Sequence, residues 1–572
     1  MRYSKMFGKT RKSSKEFDSV NATLLIKGGF IDQTMAGVYT FLPLGLRVLN
    51  KIENIVREEM NEISSEMLMP ALAPKELWEV TNRINTIDVL FKASGVNDLS
   101  KEKNPSEYVL NSTHEEVVTP IAKSFNYSYK DLPFSVYQIQ TKYRNEARPK
   151  AGLLRGREFR MKDLYSFHPD VDSLKDYYEV VRESYFKIFE RLGLKEFTYY
   201  AAASGGDFTE DFSHEFQVKC DSGEDLIFYS KEDGIAFNKE VAPCLAPESE
   251  VHEQEKPLQE VFGENIVGVD DLCKFLNITP QKTTKTLIYD SDVGVLVASV
   301  RGDYDVNEDK LKKSAHAKWV KLAKEETIKE VTGAEVGYAG ILNLPTDKGL
   351  KIFIDESIKY LKNFETGANK TNYHITNINW YRDIQPPEIF YDIKMAKEGD
   401  LYPETGKPYE TFKGSEAGNI FPLNVKFSTA FNYYYADETG QQKIVYMGSY
   451  GFGTSRVMGI LVEKFHDGKG IIWPENVAPF KVHLIGLNLD DEQVETKANK
   501  IYKQLVGAGI EVLFDDRKEI AAGEKFSDAD LIGIPYRMVV SKKTGEKIEL
   551  KKRSEEKVDL VSFEECLNLV KK

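Results

Sequence analysis

The sequence predicts an α+β protein of several domains, whose first block is an antiparallel sheet with flanking helices. Length is the first reason: 572 residues suffice for about three or four domains of roughly 150 residues, each large enough to bury a core. The second is a pair of two-residue-period runs, Phe134 to Tyr143 and Glu158 to Phe167, joined by a loop rich in Arg, Pro and Gly. The third is that strand-helix alternation becomes clear only beyond Pro474. In chain order, Pro43 opens an amphipathic helix to about Glu62, because Leu44, Val48, Leu49, Ile52, Ile55, Val56 and Met60 recur at three- and four-residue spacing. A strand over Met67 to Pro70 follows, then the long-looped hairpin. Ser173 caps a helix whose Leu174, Tyr177, Val181, Tyr185, Ile188 and Leu192 share a face and which Gly193 ends.

Residues 223–394 read as an inserted domain of short strands (Thr286 to Tyr289, Val293 to Val300) and helical stretches, ending near Pro386 and Pro387. From 395 to 475 strands resume, and Ile444 to Met447 leads through Gly448 to Gly453 into a helix at Thr454 to Lys464. The block 476–572 is a small α/β domain: strand Lys481 to Leu487, helix Glu492 to Gly507, strands Glu511 to Phe514 and Arg537 to Val540. The first block is then 1–222.

Composition excludes several classes. Hydrophobic residues at 41% and aromatics at 12% rule out a mainly disordered chain, and no apolar run approaches the roughly 18 residues of a membrane helix. Cys220, Cys244, Cys273 and Cys566 form no CxxC pair, which argues against a zinc site or a disulfide framework and fits a reducing cytosol. Arg2, Lys5, Lys9, Arg11 and Lys12 precede no apolar segment, so the start reads as mature, not as a signal. The net charge of -13 argues at first against nucleic acid. It is an average, however. Lys142, Arg144, Arg148, Lys150, Arg155, Arg157, Arg160 and Lys162 face only Glu146, Glu158 and Asp163 between 138 and 163, while Val241 to Asp270 is acidic and reads as a solvated linker. A second basic segment spans Arg537 to Lys557.

Two constellations carry chemistry. On the hairpin, Arg144, Glu146, Arg155, Phe159 and Asp163 offer guanidinium groups for phosphates, an aromatic face for a base, and acceptors for a base amino group or a metal. The structural alternative is a solvated basic hairpin whose Phe faces the core. The run Gly451 to Arg456 (GFGTSR) has neither the third glycine of a dinucleotide fingerprint nor the Gly-Lys-Ser/Thr of a phosphate loop, leaving close backbone approach and an Arg at a helix start. A structural turn is the alternative there.

Taken in order with the Pro-containing first helix and strand, these motifs resemble the three motifs of class II aminoacyl-tRNA synthetases, and among them the bacterial-type prolyl-tRNA synthetases. The matching stretches are Ala36 to Gly45 (AGVYTFLPLG), Thr113 to Glu116 (THEE), Gln138 to Glu146 (QIQTKYRNE), Arg157 to Asp163 (REFRMKD), Tyr165 to His168 (YSFH) and Ile471 to Pro474 (IIWP). The resemblance covers essentially the whole chain, with an insertion between the second and third motifs.

It implies a class II catalytic sheet, an inserted deacylase-like α/β editing domain and a C-terminal α/β anticodon-binding domain. It further implies ATP with Mg²⁺, proline and tRNA(Pro) as substrates and partners, a homodimer built on the first motif, and a cytoplasmic location without membrane. Arg144 and Arg456 would be catalytic, holding the α-phosphate and an adenine face; Glu146, Arg155 and Phe159 would complete the ATP site. Thr113 and Glu115 would bind the proline ring nitrogen, whose two donors suit a hydroxyl and a carboxylate. Asn419 stands where relatives have His, Asn424 where they have Gly, and Ser449 where many have Cys. No exclusive metal cage is expected; Glu416 is a weak candidate. In the insertion, Lys282 to Thr286, Arg301 to Asp303, Gly337 to Gly340 and Gly367 to Asn369 resemble editing deacylases, making Lys285 the editing lysine with Gly340 and His374 lining its pocket, although Ile341 replaces the usual Pro. Leu513 to Arg517 would present Asp515, Asp516 and Arg517 to guanine edges, with strand-end capping as the alternative.

Overall fold

A computed structural model describes residues 1–11, 17–206, 208–209, 213–247, 253–344 and 349–571. The chain forms two compact units: Met1–Tyr200, Gly205–Glu224 and Lys413–Lys572 make one, and Ala201–Ser204 with Asp225–Phe412 make the other.

In the first unit, helix α1 (Pro43–Asn61) starts at a proline, whose fixed φ suits a first helical turn and whose missing N–H costs nothing there. Strand β1 (Ser65–Glu66) follows it, two residues earlier than the expected strand: Met67 to Pro70 continue extended, with Met67 N donating to Tyr137 O at 2.8 Å, but outside the ladder. Helix α2 (Glu115–Phe125) leads to the hairpin strands β2 (Phe134–Tyr143) and β3 (Glu158–His168), paired from Phe134 with Phe167 to Tyr143 with Glu158. Helix α3 (Val171–Arg191) is capped by Asp170, not Ser173. The Asp170 carboxylate accepts from Ser173 N at 2.8 Å, so the expected cap is the third residue of the helix.

Strands β4 (Ser213–Lys219), β5 (Glu410–Asn424) and β6 (Tyr446–Phe452) complete a sheet ordered β4-β5-β6-β3-β2-β1, antiparallel except at the β2/β1 edge. The glycine-rich run expected as a connection is thus the central strand β6. It carries no alternation to read because both its faces are covered. Helix α4 (Thr454–Lys464) follows directly, and α1 packs against α3 and α4, with Leu44, Val48, Ile52 and Val56 in the core.

The C-terminal part has β7 (Val482–Gly486), α5 (Glu492–Gly507), β8 (Val512–Asp515), α6 (Ala522–Ile532), β9 (Tyr536–Val540), β10 (Ile548–Lys552) and β11 (Val558–Val561). Its sheet order is β8-β7-β9-β10-β11, parallel at β8/β7/β9 and antiparallel beyond.

The second unit holds a four-stranded sheet in which Thr284–Ser291 pairs with Leu296–Arg301, beside a three-stranded sheet of Gln259–Phe262, Tyr373–Ile378 and Phe364–Gly367. The acidic stretch expected as a linker is largely part of this fold: Gln259–Phe262 is a strand, Val269–Leu276 a helix, and Glu260 pairs with Lys370 at 2.8 Å. Glu248 and Glu250 lie outside the described residues.

Candidate active site

Arg144 and Arg155 lie in the hairpin loop just beyond the strand ends, not on facing strands. The loop is pinned by its own backbone: Arg144 N donates to Arg157 O at 2.8 Å and Arg157 N to Gly37 O at 2.7 Å. Gly37 has φ +76° and a Cβ there would come within 2.7 Å of Pro149, so the turn requires glycine. The Arg144 guanidinium sits 5.2 Å from the Phe159 ring centroid, and among the described residues it has no hydrogen-bond or ion-pair partner. Burial, then the nearby Arg456 charge, push it below its ordinary value. A half-buried guanidinium without an ion-pair partner, beside a second cation, is a site poised for an anion.

Arg155 is compensated. Its Nε and Nη2 meet Glu146 Oε2 at 2.9 and 2.7 Å, and its Nη1 meets Glu224 Oε2 at 2.7 Å. Arg456 Nη1 donates to Glu416 O at 2.5 Å and lies 3.5 Å from Glu416 Oε2; Glu416 Oε1 accepts from Asn419 Nδ2 at 2.6 Å, and Asn419 Oδ1 accepts from Gly451 N at 3.1 Å. Asn419 therefore ties Glu416 to the central strand. Asn424 has φ +50°, the conformation in which Asn best replaces Gly. Asp163, expected to offer an acceptor, is instead buried at 3% exposure and paired with Lys142 at 2.7 Å.

Thr113 and Glu115 meet at the start of α2, the Thr113 hydroxyl donating to Glu115 Oε2. Two contacts to Glu115 have no trace in the motif. Ser449 Oγ of β6 donates to Glu115 Oε1 at 2.9 Å, and Arg83 Nη1 lies 3.5 Å from Oε2. Arg83 is the buried partner of Glu116, at 2.9 and 3.1 Å from its two oxygens. Burial, partly offset by Arg83, raises the Glu116 carboxyl. Nothing in the sequence around Arg83 marks it as the partner of a remote carboxylate pair.

In the second unit, Lys285 and His374 line a cavity of about 280 Å³ whose wall includes Val269, Leu272, Leu287 and Ile328. Lys285 Nζ donates to Tyr304 O at 2.9 Å and pairs with Asp305 at 2.6 Å. His374 has both ring nitrogens engaged, by Glu365 at 2.9 Å and Ile266 O at 3.2 Å, so it acts here as a fixed wall, not a free base. Gly340 sits behind the lining: its N–H donates to Asn369 Oδ1 at 2.8 Å, and a Cβ would fall 1.8 Å from Gly367 O.

The Asp515, Asp516 and Arg517 expectation meets a different geometry. Asp515 is fully buried and held by Arg517 at 2.7 Å, while Arg517 also reaches Asp528 at 2.8 Å; Asp516 accepts from Ser4 N at 2.9 Å and Arg2 at 3.2 Å. Asp515 is thus committed inside the domain, as the strand-end alternative expects, while Asp516 and Arg517 stay partly exposed. Among the described residues no group of three or more His, Cys, Asp or Glu side chains is arranged to hold a metal ion.

The antiparallel sheet with its hairpin arginines and Gly-rich central strand defines a class II aminoacyl-tRNA synthetase core. Residues 96–465 match the family model described as tRNA synthetase class II core domain (G, H, P, S and T), and residues 477–572 match the anticodon binding domain. Over 579 residues the chain is 42% identical to the proline–tRNA ligase of Caldicellulosiruptor saccharolyticus, covering 100% of this chain and 98% of that protein. It is likewise 42% identical over 582 residues to that of Persephonella marina, covering 100% of both. The chain belongs to the proline–tRNA ligase family. A solved Giardia lamblia prolyl-tRNA synthetase in complex with prolyl-adenylate shares the fold, at TM-score 0.56 and 14% identity over 96% of this chain and 75% of that one. No helix among the described residues is long and apolar enough to cross a membrane.

Proposed function

We propose that the chain activates proline with ATP to prolyl-adenylate and pyrophosphate and then transfers the prolyl group to tRNA(Pro). The observation that carries this reading is the Arg144–Arg456 pair, one guanidinium free and stacked on Phe159, within electrostatic reach of the Thr113–Glu115 acceptor. In the first step the proline carboxylate attacks the α-phosphorus, and the developing charge on the phosphate oxygens is what Arg144 is oriented to stabilise. Phe159 and Arg456 would sandwich the adenine, Glu146 would accept from its amino group, and Arg155 would turn from Glu224 to the outer phosphates. Glu115 and Thr113 would accept the two ammonium protons of the ring, with Asn419 holding Glu416 beside it. Glu416 offers one carboxylate that could help hold Mg²⁺ brought with ATP, which would supply positive charge to the triphosphate. Amino-acid-dependent exchange of pyrophosphate into ATP tests this: stimulation by proline alone supports it, and stimulation by threonine or by no amino acid refutes it.

The domain reading follows: a catalytic domain from 1–222 and 395–475, an editing insert at 223–394, and an anticodon-binding domain at 476–572 that reads the tRNA loop through residues other than the buried Asp515. We further propose a cytoplasmic homodimer built on α1. A pocket sized for proline cannot exclude alanine sterically, since one methylene supplies only about 1 to 3 kcal/mol. The apolar cavity with Lys285 at its rim supports hydrolysis of alanyl-tRNA(Pro), Lys285 exchanging Asp305 for a phosphate near the tRNA end. Deacylation of alanyl-tRNA(Pro) should be seen with the intact chain and lost in Lys285→Ala; equal ester lifetimes with and without protein would sink the editing role.

A further inference from the structure

Glu115 and Glu116 are adjacent, and both are fully buried. One cation serves the two carboxylates: Arg83, 2% exposed. It is held by rings, its Cζ lying 4.6 Å from the Phe208 centroid, 5.2 Å from Phe427 and 5.5 Å from Trp78. It cannot swing to solvent, and its Nε and Nη2 have no partner among the described residues. The division of its contacts is unequal. Nη1 meets both Glu116 oxygens at 2.9 and 3.1 Å but approaches Glu115 only to 3.5 Å. Glu115 is oriented instead by two neutral hydroxyls, Thr113 on Oε2 and Ser449 on Oε1.

We propose that Arg83 is a positioning residue for amino-acid recognition: it neutralises Glu116, so that Glu115, fixed by hydroxyls, keeps an uncompensated negative charge for the ring ammonium of proline. The inference rests on the reading of Glu115 as the proline acceptor. The cluster of Arg83, Glu115 and Glu116 carries one net negative charge, and a secondary ammonium brings it to neutrality. Without Arg83, two buried carboxylates share one site and a proton must settle on the pair, as like charges in close contact require. The other groups facing Glu115 are already committed or distant: Lys142 pairs with Asp163, His114 is bound to Lys142 and Pro70 O, Tyr165 donates to Asp163, and Arg144 stacks on Phe159. Burial raises the Glu116 carboxyl and the Arg83 charge opposes that rise; without Arg83 the proton is shared between the two adjacent carboxylates and weakens the charge that Glu115 offers.

The charge logic gives each variant its own sign in proline-dependent pyrophosphate exchange, measured from pH 6 to 9 on the full chain. Arg83→Met should raise the proline KM about tenfold near neutrality, with the ATP KM unchanged, and the defect should shrink as pH rises. Arg83→Lys should fall between it and the parent. Glu116→Gln frees Arg83 to close on Glu115 and should raise the proline KM at every pH. The double variant Arg83→Met with Glu116→Gln restores a lone charge on Glu115 and should bind proline better than Arg83→Met alone. A double variant no better than the single, or a pH-independent loss that affects ATP equally, overturns the proposal. Glu115→Gln separates the two levels: unchanged proline KM in that variant overturns the acceptor reading itself. A Glu115→Gln defect with a normal Arg83→Met overturns only the role of Arg83.

Discussion

Ser449 stands in the middle of the sheet and donates its hydroxyl to Glu115, a carboxylate with no exposed surface. A hydroxyl is a stronger donor than a thiol, so serine here holds the carboxylate more tightly than a cysteine would. Ser449→Ala is expected to raise the proline KM roughly fivefold, the worth of a net hydrogen bond of about 1 kcal/mol, with Ser449→Cys between the two. An unchanged KM in both variants would detach Ser449 from amino-acid binding. At this scale the sequence revealed the residues whose motif spacing is local, such as Thr113 with Glu115 and Gly451 with Arg456. It hid Arg83 and the contact of Ser449, because each reaches Glu115 from a remote segment and neither letter signals its partner.

Among the elements, β6 shows why a glycine-rich run can be a strand. It is flanked by β5 and β3, and its glycines leave room for neighbours: a Cβ on Gly451 would lie 2.7 Å from Asn419 Oδ1, and one on Gly448 would lie 2.3 Å from the Tyr450 hydroxyl. Gly451→Ala should therefore push Asn419 off the Gly451 N–H and loosen Glu416 beneath Arg456. The expected result is a fall in kcat for adenylate formation of about tenfold or more with a small change in thermal midpoint; a large midpoint drop with normal kcat would contradict it. The hairpin strands β2 and β3 were legible to within a residue, since one face is buried and alternation survives. For β6 and the end of β1 no alternation exists, and the acidic stretch misled because Gln259–Phe262 forms a strand on which the exposed Glu260 pairs with Lys370. Helix α6 went unread, its apolar face being short and interrupted by Lys525 and Asp528, both buried through polar contacts.

For the whole molecule, four histidines set an acid limit. Burial pushes His114, His168, His214 and His483 each down to about 4, and among the described residues His483 has no partner on either ring nitrogen. Their folded-state values lie below the ordinary 6.5, so between those limits the unfolded chain binds more protons than the folded one. The stability they contribute is complete above about pH 6.5 and is lost as pH falls toward 4. For fully buried His483 the loss is about 3 kcal/mol at the bottom of that window. Thermal midpoints should fall steeply from pH 6.5 to 4.5, and His483→Gln should flatten the slope; an equal slope in the variant would count against this account. The net charge of -13 likewise misleads as a whole-chain number, because Arg144 is a local uncompensated cation in an acidic protein. The position of β4 and β5 in the sequence has a further consequence for biosynthesis. β4 ends at Lys219 and its partner β5 begins at Glu410, with β6 later still. At about 5 to 20 residues per second, a ribosome takes on the order of 10 to 40 s to make the intervening chain. Throughout that interval the nascent hairpin edge at β3 lacks the strand that will cover it, so rapid folding of the intervening unit limits how long a sticky edge is offered to neighbouring polysomes.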